Sequence, residues 1–272
     1  MSDRDGFAPG VPCWVETWQD DANRAVEYYG RLFGWETAEP LSADTGTFHM
    51  CRLRGRDVAG IGSPIPEGAP PVPTWTTFVQ VESAAEGAAK VKEAGGDVVV
   101  EPFESLEGGR LVIAADPTGA MFAAWEQAEH RGAQVINEPG AWAMSMLVTP
   151  EPEAAVRFYR DVFGWATESF GMGGEEVIMF TLPGYVGGEP EQPVPRDVVA
   201  TIAPPGAAAG APPHWSVDFW VRDPDEAARL TKEMGGLVLA EPFEVPDIGM
   251  RQAALADPQG ATFTITCPPG LG

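Results

Sequence analysis

Apolar and polar positions along the 272-residue chain alternate in two ways, one typical of strands and one typical of helices. Short apolar runs at 12–18 and 142–148 predict buried strands. Behind each run, apolar residues recur at spacings of three and four, which a helix of 3.6 residues per turn places on one face. The predicted helical faces are Ala22, Ala25, Val26, Tyr29, Leu32 and Phe33 in the first half, and Pro152, Ala155, Val156, Tyr159, Val162 and Phe163 in the second.

The same order of elements starts again inside each half. Apolar runs ending at Val81 and Val221 predict strands, and the Ser83 and Asp223 that follow favour helix N-caps. The double glycines at 95–96 and 235–236 indicate left-handed C-terminal caps of these helices. Further strand-like runs close each half. The predicted unit is therefore strand–helix–three strands, used four times.

The two halves are copies of one another. Tyr29, Phe33, Gly34 and Trp35 recur 130 positions later, whereas the segment that begins at Asp116 recurs 141 positions later. Register kept over so long a span identifies a duplication. The growing offset places an insertion in the Pro-, Gly- and Ala-rich stretch at 182–213, which we expect to be a loop. We predict domains at 8–127 and 139–268, joined by a linker at 128–138.

The composition is that of a globular protein, with 44% hydrophobic residues, 21% charged residues and 9 Trp. A net charge of −23 argues against nucleic acid or an anionic membrane surface as a partner. The polar, acidic N-terminal residues predict no signal peptide, and no apolar run approaches the ~20 residues of a membrane span. The three cysteines form no paired motif. We therefore expect a cytoplasmic protein.

Four segments resemble the vicinal oxygen chelate superfamily, which includes glyoxalase I, bleomycin-resistance proteins and extradiol dioxygenases. They are residues 25–35 (AVEYYGRLFGW), 115–125 (ADPTGAMFAAW), 155–165 (AVRFYRDVFGW) and 256–265 (ADPQGATFTI). The resemblance covers nearly the whole chain and is greatest to the two-domain actinobacterial branch. It implies an α+β fold of two tandem domains, each a pair of βαβββ modules forming a curled sheet around a cleft.

The resemblance also implies where a metal would be bound. In metal-dependent members, ligands lie seven places before the helix cap of each module and seven places after the Asp of the DPxG turn. A divalent ion there needs His nitrogen or carboxylate oxygen. No such residue stands at these positions, so we expect clefts without a metal and no other cofactor. The six positions are Trp14, Thr76, Ala123, Met144, Ser216 and Thr264.

Strand alternation extends these positions to the residues that line each cleft, because residues two apart share a face. Aromatic walls with few polar groups suit a small, flat organic ligand. The alternative is that the tryptophans fill a closed core. The predicted lining residues are Trp14, Glu16, Trp18, Thr76, Phe78, Gln80 and Trp125 in the first half, and Met144, Met146, Ser216, Asp218, Trp220 and Thr264 in the second, with His214 at a cleft mouth.

Glu16 and Asp218 are the two carboxylates that alternation places on inner faces. Desolvation raises the pKa of such a group, which suits a general base. The alternative is a structural carboxylate, and Arg52 is then the expected partner of Glu16. Of the histidines, His49 is expected to be structural and His130, in the linker, to be exposed.

Two functional classes remain. The first is a metal-free protein that binds a small, aromatic organic molecule in secondary-metabolite resistance or biosynthesis. The second is a metal-independent hydroxylase, cyclase or isomerase of natural-product biosynthesis, with Glu16 or Asp218 as general base. A metal-dependent lyase or dioxygenase is disfavoured by the residues at the six positions.

Overall fold

The helices begin and end close to where the apolar pattern predicts. The structure, a computed structural model, describes residues 5–43, 46–64, 73–106, 108–172, 175–187, 197–204, 210, 212–245 and 248–271. Within these ranges the helices are α1 (Ala22–Phe33), α2 (Ala84–Glu93), α3 (Pro152–Phe163) and α4 (Pro224–Glu233). None of the helices in the described ranges has the length and apolar character needed to span a membrane.

The strands of the first half are β1 (Pro12–Trp18), β2 (Glu36–Thr37), β3 (Leu41–Ala43), β4 (Gly46–Leu53), β5 (Arg56–Ser63), β6 (Trp75–Val81), β7 (Asp97–Glu104), β8 (Gly109–Ala115) and β9 (Met121–Gln127). Those of the second half are β10 (Trp142–Val148), β11 (Ala166–Met172), β12 (Glu175–Thr181), β13 (Val198–Ile202), β14 (His214–Trp220), β15 (Leu237–Val245), β16 (Met250–Ala256) and β17 (Thr262–Cys267).

Each half forms one mixed sheet of two modules. The first sheet has the order β2-β4-β5-β1-β6-β9-β8-β7, with β3 paired to β4, and the second has the order β11-β12-β13-β10-β14-β17-β16-β15. The modules join through an antiparallel pair, β1 with β6 and β10 with β14. Within a module the first strand runs parallel to its neighbour, as β6 does to β9. This confirms the α+β fold of paired βαβββ modules.

The caps of α2 and α4 are the predicted ones. Ser83 accepts a hydrogen bond from the backbone N–H of Glu86, and Asp223 accepts one from that of Glu226, at 3.3 and 3.0 Å. Past the C-terminal ends of these helices, Gly95 and Gly235 have φ angles of 86° and 84°. This left-handed region is unfavourable for residues with a Cβ, so the glycines end the helices there.

The stretch at 182–213 is only partly a loop, because it contains β13. Gly60 pairs with Glu16 in the first sheet, and Thr201 pairs with Met146 in the second. Thr201 therefore corresponds to Gly60, and the full offset of 141 is already reached at β13. The inserted residues lie between β12 and β13, and the surrounding Pro and Gly residues concealed a short apolar strand. Residues 188–196, 205–209 and 211 lie outside the described ranges.

The helices pack between the two sheets, where α2 and α4 lie against the sheet of their own half and α1 and α3 also reach the sheet of the other half. The Phe33 ring in α1 lies 4.8 Å from that of Phe219 in β14. The Phe163 ring in α3 lies 5.7 Å from that of Phe122 in β9. The buried apolar side chains consequently form one cluster that includes residues of both halves.

Two equivalent buried hydrogen bonds connect the halves. The hydroxyl of Tyr29 donates to Asp257 Oδ2 at 2.9 Å, and that of Tyr159 donates to Asp116 Oδ2 at 3.0 Å. The other carboxylate oxygen, Oδ1, accepts backbone N–H groups of its own turn, among them that of Ala261. Burial and the neighbouring carboxylate raise the pKa of both tyrosines, so each stays a neutral donor. These bonds satisfy two carboxylates that would otherwise be costly to bury.

Replacing either crossing tyrosine by Phe should lower the free energy of unfolding by about 1–3 kcal/mol, because a buried carboxylate loses a donor. Tyr28→Phe is the matched control, since the Tyr28 hydroxyl is hydrogen-bonded to the uncharged Thr231 hydroxyl at 2.9 Å and to no carboxylate of the described residues, so that its loss should cost less. Urea unfolding followed by fluorescence measures both effects. If the Phe variants of Tyr28, Tyr29 and Tyr159 lose equal free energies of unfolding, the bonds to the carboxylates do not have the stabilising role assigned to them.

Candidate functional site

The predicted lining residues lie on the face of each sheet that is turned away from the helices, which we call the outer face. Trp75 faces α1, and its indole N–H donates to the Tyr29 hydroxyl at 3.1 Å. Its neighbour Thr76 therefore points outward. Cross-strand partners share a face, and Thr76 pairs with Glu16 as Phe78 pairs with Trp14. The same relations hold in the second sheet, where Asp218 pairs with Met144.

The outer face of the first sheet is filled by its own aromatic side chains. Trp14 and Trp125 are each only 2% exposed and Phe78 only 1%. The Phe78 and Trp125 rings lie 6.1 Å apart. Gln80 is also buried, and its amide N–H donates to the carbonyl of Val81 at 3.0 Å. Here the geometry is that of a closed core rather than of an open cleft.

Large side chains also cover the strand next to β1. Phe48 and Trp18 lie directly over Gly60 and Gly62, where a Cβ would collide with their rings. Only the absence of side chains at these two glycines allows the rings to approach the sheet so closely. Trp18 and Thr76 keep part of their surface exposed at the rim.

The interdomain segment closes this face further. The His130 ring lies 4.5 Å from Trp14 and 5.7 Å from Trp125, whose indole N–H donates to the His130 carbonyl at 3.3 Å. The expectation that His130 is exposed was therefore wrong, because the two indoles offer it an apolar surface that spacing along the chain does not reveal. Burial lowers the pKa of His130 to about 4, so the ring is neutral at pH 7.

Glu16 lies within this closed face. It is 7% exposed, and its Oε1 accepts the indole N–H of Trp18 at 2.9 Å. Arg52 does not pair with Glu16 as expected, because it forms an ion pair with Asp57 at 2.8 Å. Glu16 is thus a hydrogen-bonded carboxylate under an indole ring.

A polar pocket of about 480 Å³ lies at the edge of this region. Its walls include Asp5, Asp57 and Glu129 together with His130 and Arg131. The indoles of Trp14 and Trp125 are covered and form no part of its lining. The pocket therefore lacks the apolar wall that a flat organic ligand requires.

The outer face of the second sheet differs at the equivalent positions. Met144 replaces Trp14, Asp218 replaces Phe78, and Thr266 replaces Trp125. Three buried aromatic rings of the first sheet thus become smaller or polar side chains. Seven side chains that the sequence nominates for this face are partly exposed: Met144, Met146, His214, Ser216, Asp218, Trp220 and Thr264.

Asp218 is the centre of a hydrogen-bonded group on this face. Its Oδ1 accepts the hydroxyls of Thr264 and Thr266 at 2.8 and 2.7 Å. The Gln252 amide donates to the Thr266 hydroxyl at 3.1 Å. Burial raises the pKa of Asp218 to about 6, although the two hydroxyls, which stabilise the carboxylate, oppose the rise.

Thr266 and Gln252 were not among the residues nominated from the sequence. Thr266 lies two places after Thr264, so alternation contained the signal. Gln252 reaches the group only through the pairing of β16 with β17, which places it opposite Thr266. His214 lies at the start of β14, where its Nδ1 is 2.8 Å from the carbonyl oxygen of Pro212, and it is not part of the group.

The six positions at which related proteins would hold metal ligands offer no ligand set. Their side chains are indole, thioether, methyl and hydroxyl groups, which are not the imidazole and carboxylate donors that such an ion requires. The described residues contain no group of three or more His, Cys, Asp or Glu side chains placed to hold an ion.

A closed aromatic core on one sheet and a partly exposed polar group on the other define a two-domain protein with unequal clefts. Residues 14–124 match the family model of the glyoxalase/bleomycin resistance protein/dioxygenase superfamily, and residues 144–266 match that of the glyoxalase-like domain. The chain belongs to this superfamily.

Two curated relatives match over nearly the full length. The putative glyoxylase CFP32 of Mycobacterium tuberculosis is 34% identical, with 98% of each chain covered. The anthracycline biosynthesis protein DnrV of Streptomyces peucetius is 31% identical, with 95% of this chain and 94% of the relative covered.

Solved structures share the fold at low sequence identity. The Mn(II)-bound glyoxalase from Novosphingobium aromaticivorans has a TM-score of 0.63 at 17% identity, over 95% of this chain and 82% of that one. The dioxygenase LapB from Pseudomonas sp. KL28 has a TM-score of 0.62 at 13% identity, over 95% and 93%.

We expect the purified, dialysed protein to carry no stoichiometric transition metal, because the six positions lack nitrogen and carboxylate donors. Elemental analysis measures this directly, and protein refolded with added zinc or manganese and dialysed again is the control for loss during purification. One bound ion per domain would contradict the prediction.

Proposed function

We propose that the protein binds a small, flat organic molecule on the outer face of its second sheet. The observation that carries the proposal is the contrast between the sheets at three equivalent positions. Trp14, Phe78 and Trp125 occupy the first face, whereas Met144, Asp218 and Thr266 leave the second partly exposed.

The side chains around Asp218 suit such a ligand. Trp220 offers an aromatic face for stacking. Met144 and Met146 lie beside it on the neighbouring strand, and thioethers adapt their shape and make favourable contacts with rings. The net charge of −23 favours uncharged or cationic ligands over anionic ones.

The relatives support a setting in secondary metabolism. DnrV is named for anthracycline biosynthesis, and we propose that this chain likewise handles a natural product as a metal-free binding protein. The first domain would then be a structural partner, with Glu16 and Gln80 holding its closed face together rather than contacting ligand.

Trp220→Ala should weaken binding of a flat ligand by ~1–3 kcal/mol, the scale for the loss of a large contact residue. Ligand binding should also quench tryptophan fluorescence in the wild type, since an indole lies in the site. A panel of fused-ring aromatic compounds, titrated by calorimetry and fluorescence, provides the measurement.

Trp14→Phe is the matched control for this prediction, because it changes an indole on the closed face. We expect it to lower stability and to leave the affinity unchanged. Loss of binding in the Trp14 variant with full binding in the Trp220 variant would place the ligand on the first sheet and overturn the proposal.

A second candidate function is favoured by the titration of Asp218. Its pKa of about 6 leaves it ionised at pH 7, and it lies on a partly exposed face, as a general base requires. The protein would then be a metal-independent enzyme of natural-product biosynthesis.

If the protein is an enzyme, turnover should rise as the pH passes upward through about 6, since only the ionised carboxylate accepts a proton. Asp218→Asn should reduce the rate by ~100-fold or more while ligand still binds. Glu16→Gln serves as the comparison and should retain activity. Full activity of the Asp218 variant would exclude the enzyme mechanism.

A further inference from the structure

The hydrogen bonds of Asp218 are unequally divided between its two oxygens. Oδ1 accepts both threonine hydroxyls, from Thr264 and Thr266. Oδ2 accepts no hydrogen bond from any side chain or backbone group in the described part of the chain. A carboxylate has lone pairs on both oxygens and can accept about four hydrogen bonds. Oδ2 of Asp218 can therefore accept hydrogen bonds from a ligand.

On the strands around Asp218, no other acid of the described residues shares this face. The described outer-face side chains of β10, β14, β16 and β17 other than Asp218 are uncharged, apart from His214 at the far end of β14. The Gln252 amide already donates to Thr266. The strongest free acceptor that a ligand meets on these four strands is therefore Asp218 Oδ2.

Apolar groups flank this acceptor on both sides. Met144 lies directly opposite Asp218 in the strand register, and Trp220 lies two residues further along β14 on the same face. A ring that stacks on Trp220 therefore has its edge close to Asp218. A donor on that edge would be bound, and an ether or carbonyl oxygen there would be repelled by the carboxylate.

We propose that Asp218 selects flat rings that carry a hydrogen-bond donor, a phenol-type hydroxyl or a ring N–H, and rejects the same rings with that donor methylated. The inference rests on the proposed function, because it assumes that the second outer face is the binding site. It adds the chemical class of the ligand and assigns Thr264 and Thr266 the role of holding Oδ1 so that Oδ2 faces the ligand.

The test compares 2-naphthol with 2-methoxynaphthalene, which differ by methylation of one hydroxyl. Calorimetric titration is done at about pH 8, where the carboxylate is ionised and the naphthol is neutral. We expect the wild type to prefer 2-naphthol by about tenfold or more, the range for a hydrogen bond to a charged group. This comparison needs no variant and so does not depend on a mutant's folding.

The Asp218→Asn variant then tests whether Asp218 causes the preference for 2-naphthol. The threonine hydroxyls should hold the amide oxygen, which turns the NH2 group toward the ligand as a donor. Affinity for 2-naphthol should fall to that of 2-methoxynaphthalene, whose own affinity should not fall. Asp161→Asn is the matched control, because Asp161 is an exposed acid on α3 that pairs with Arg160 far from this face; it should keep the preference.

The outcomes separate the two proposals. Equal binding of both probes to the wild type overturns the donor selection and leaves the proposed function standing. A preference that persists in Asp218→Asn also overturns the selection, since another group then recognises the hydroxyl. Failure of both probes to bind overturns the inference together with the proposed binding site. A wild-type preference that disappears in Asp218→Asn alone supports it.

Discussion

The arrangement of the molecule depends on the bond between a tyrosine of one half and the DPxG aspartate of the other. Tyr29 reaches Asp257, and Tyr159 reaches Asp116, so the two most recognisable motifs of each copy are partners across the interface. Each aspartate uses Oδ1 for its own turn and Oδ2 for the tyrosine, and Asp257 Oδ2 also accepts the side-chain amide of Gln19 from the other half. Because a buried carboxylate without donors is costly, neither motif is satisfied unless the halves are packed together.

This packing decides which surfaces remain for function. The helices occupy the space between the sheets, so the outer faces are the sheet surfaces that the described helices leave uncovered. The first of these is occupied by Trp14, Phe78 and Trp125, and His130 covers two of them. The second lacks all three rings. An identical backbone plan therefore gives a closed face in one copy and a partly exposed one in the other.

The sequence predicted the fold well because period and register are local properties. The offset repeat, the Ser83 and Asp223 caps and the alternation of each strand all followed from spacing. It could not predict which outer face is open, since alternation gives the direction of a side chain and not the space it fills. The burial of His130 and the Arg52–Asp57 pair were missed for the same reason: both depend on contacts between segments that the pattern does not relate.

The difference between the two faces also affects how much each domain contributes to the stability of the fold. Fully burying an aromatic side chain stabilises a fold by about 1.5–3 kcal/mol, so the three rings of the first face contribute substantially. The second face instead leaves Trp220 and Met144 partly exposed, so these side chains stabilise the fold less. It also holds Asp218 at a raised pKa, which opposes folding at pH 7, where the carboxylate is ionised. Because one apolar core joins the halves, stabilisation in the first domain supports the second. A duplicated chain can in this way keep a polar, partly exposed site that would leave a single domain with a smaller free energy of unfolding.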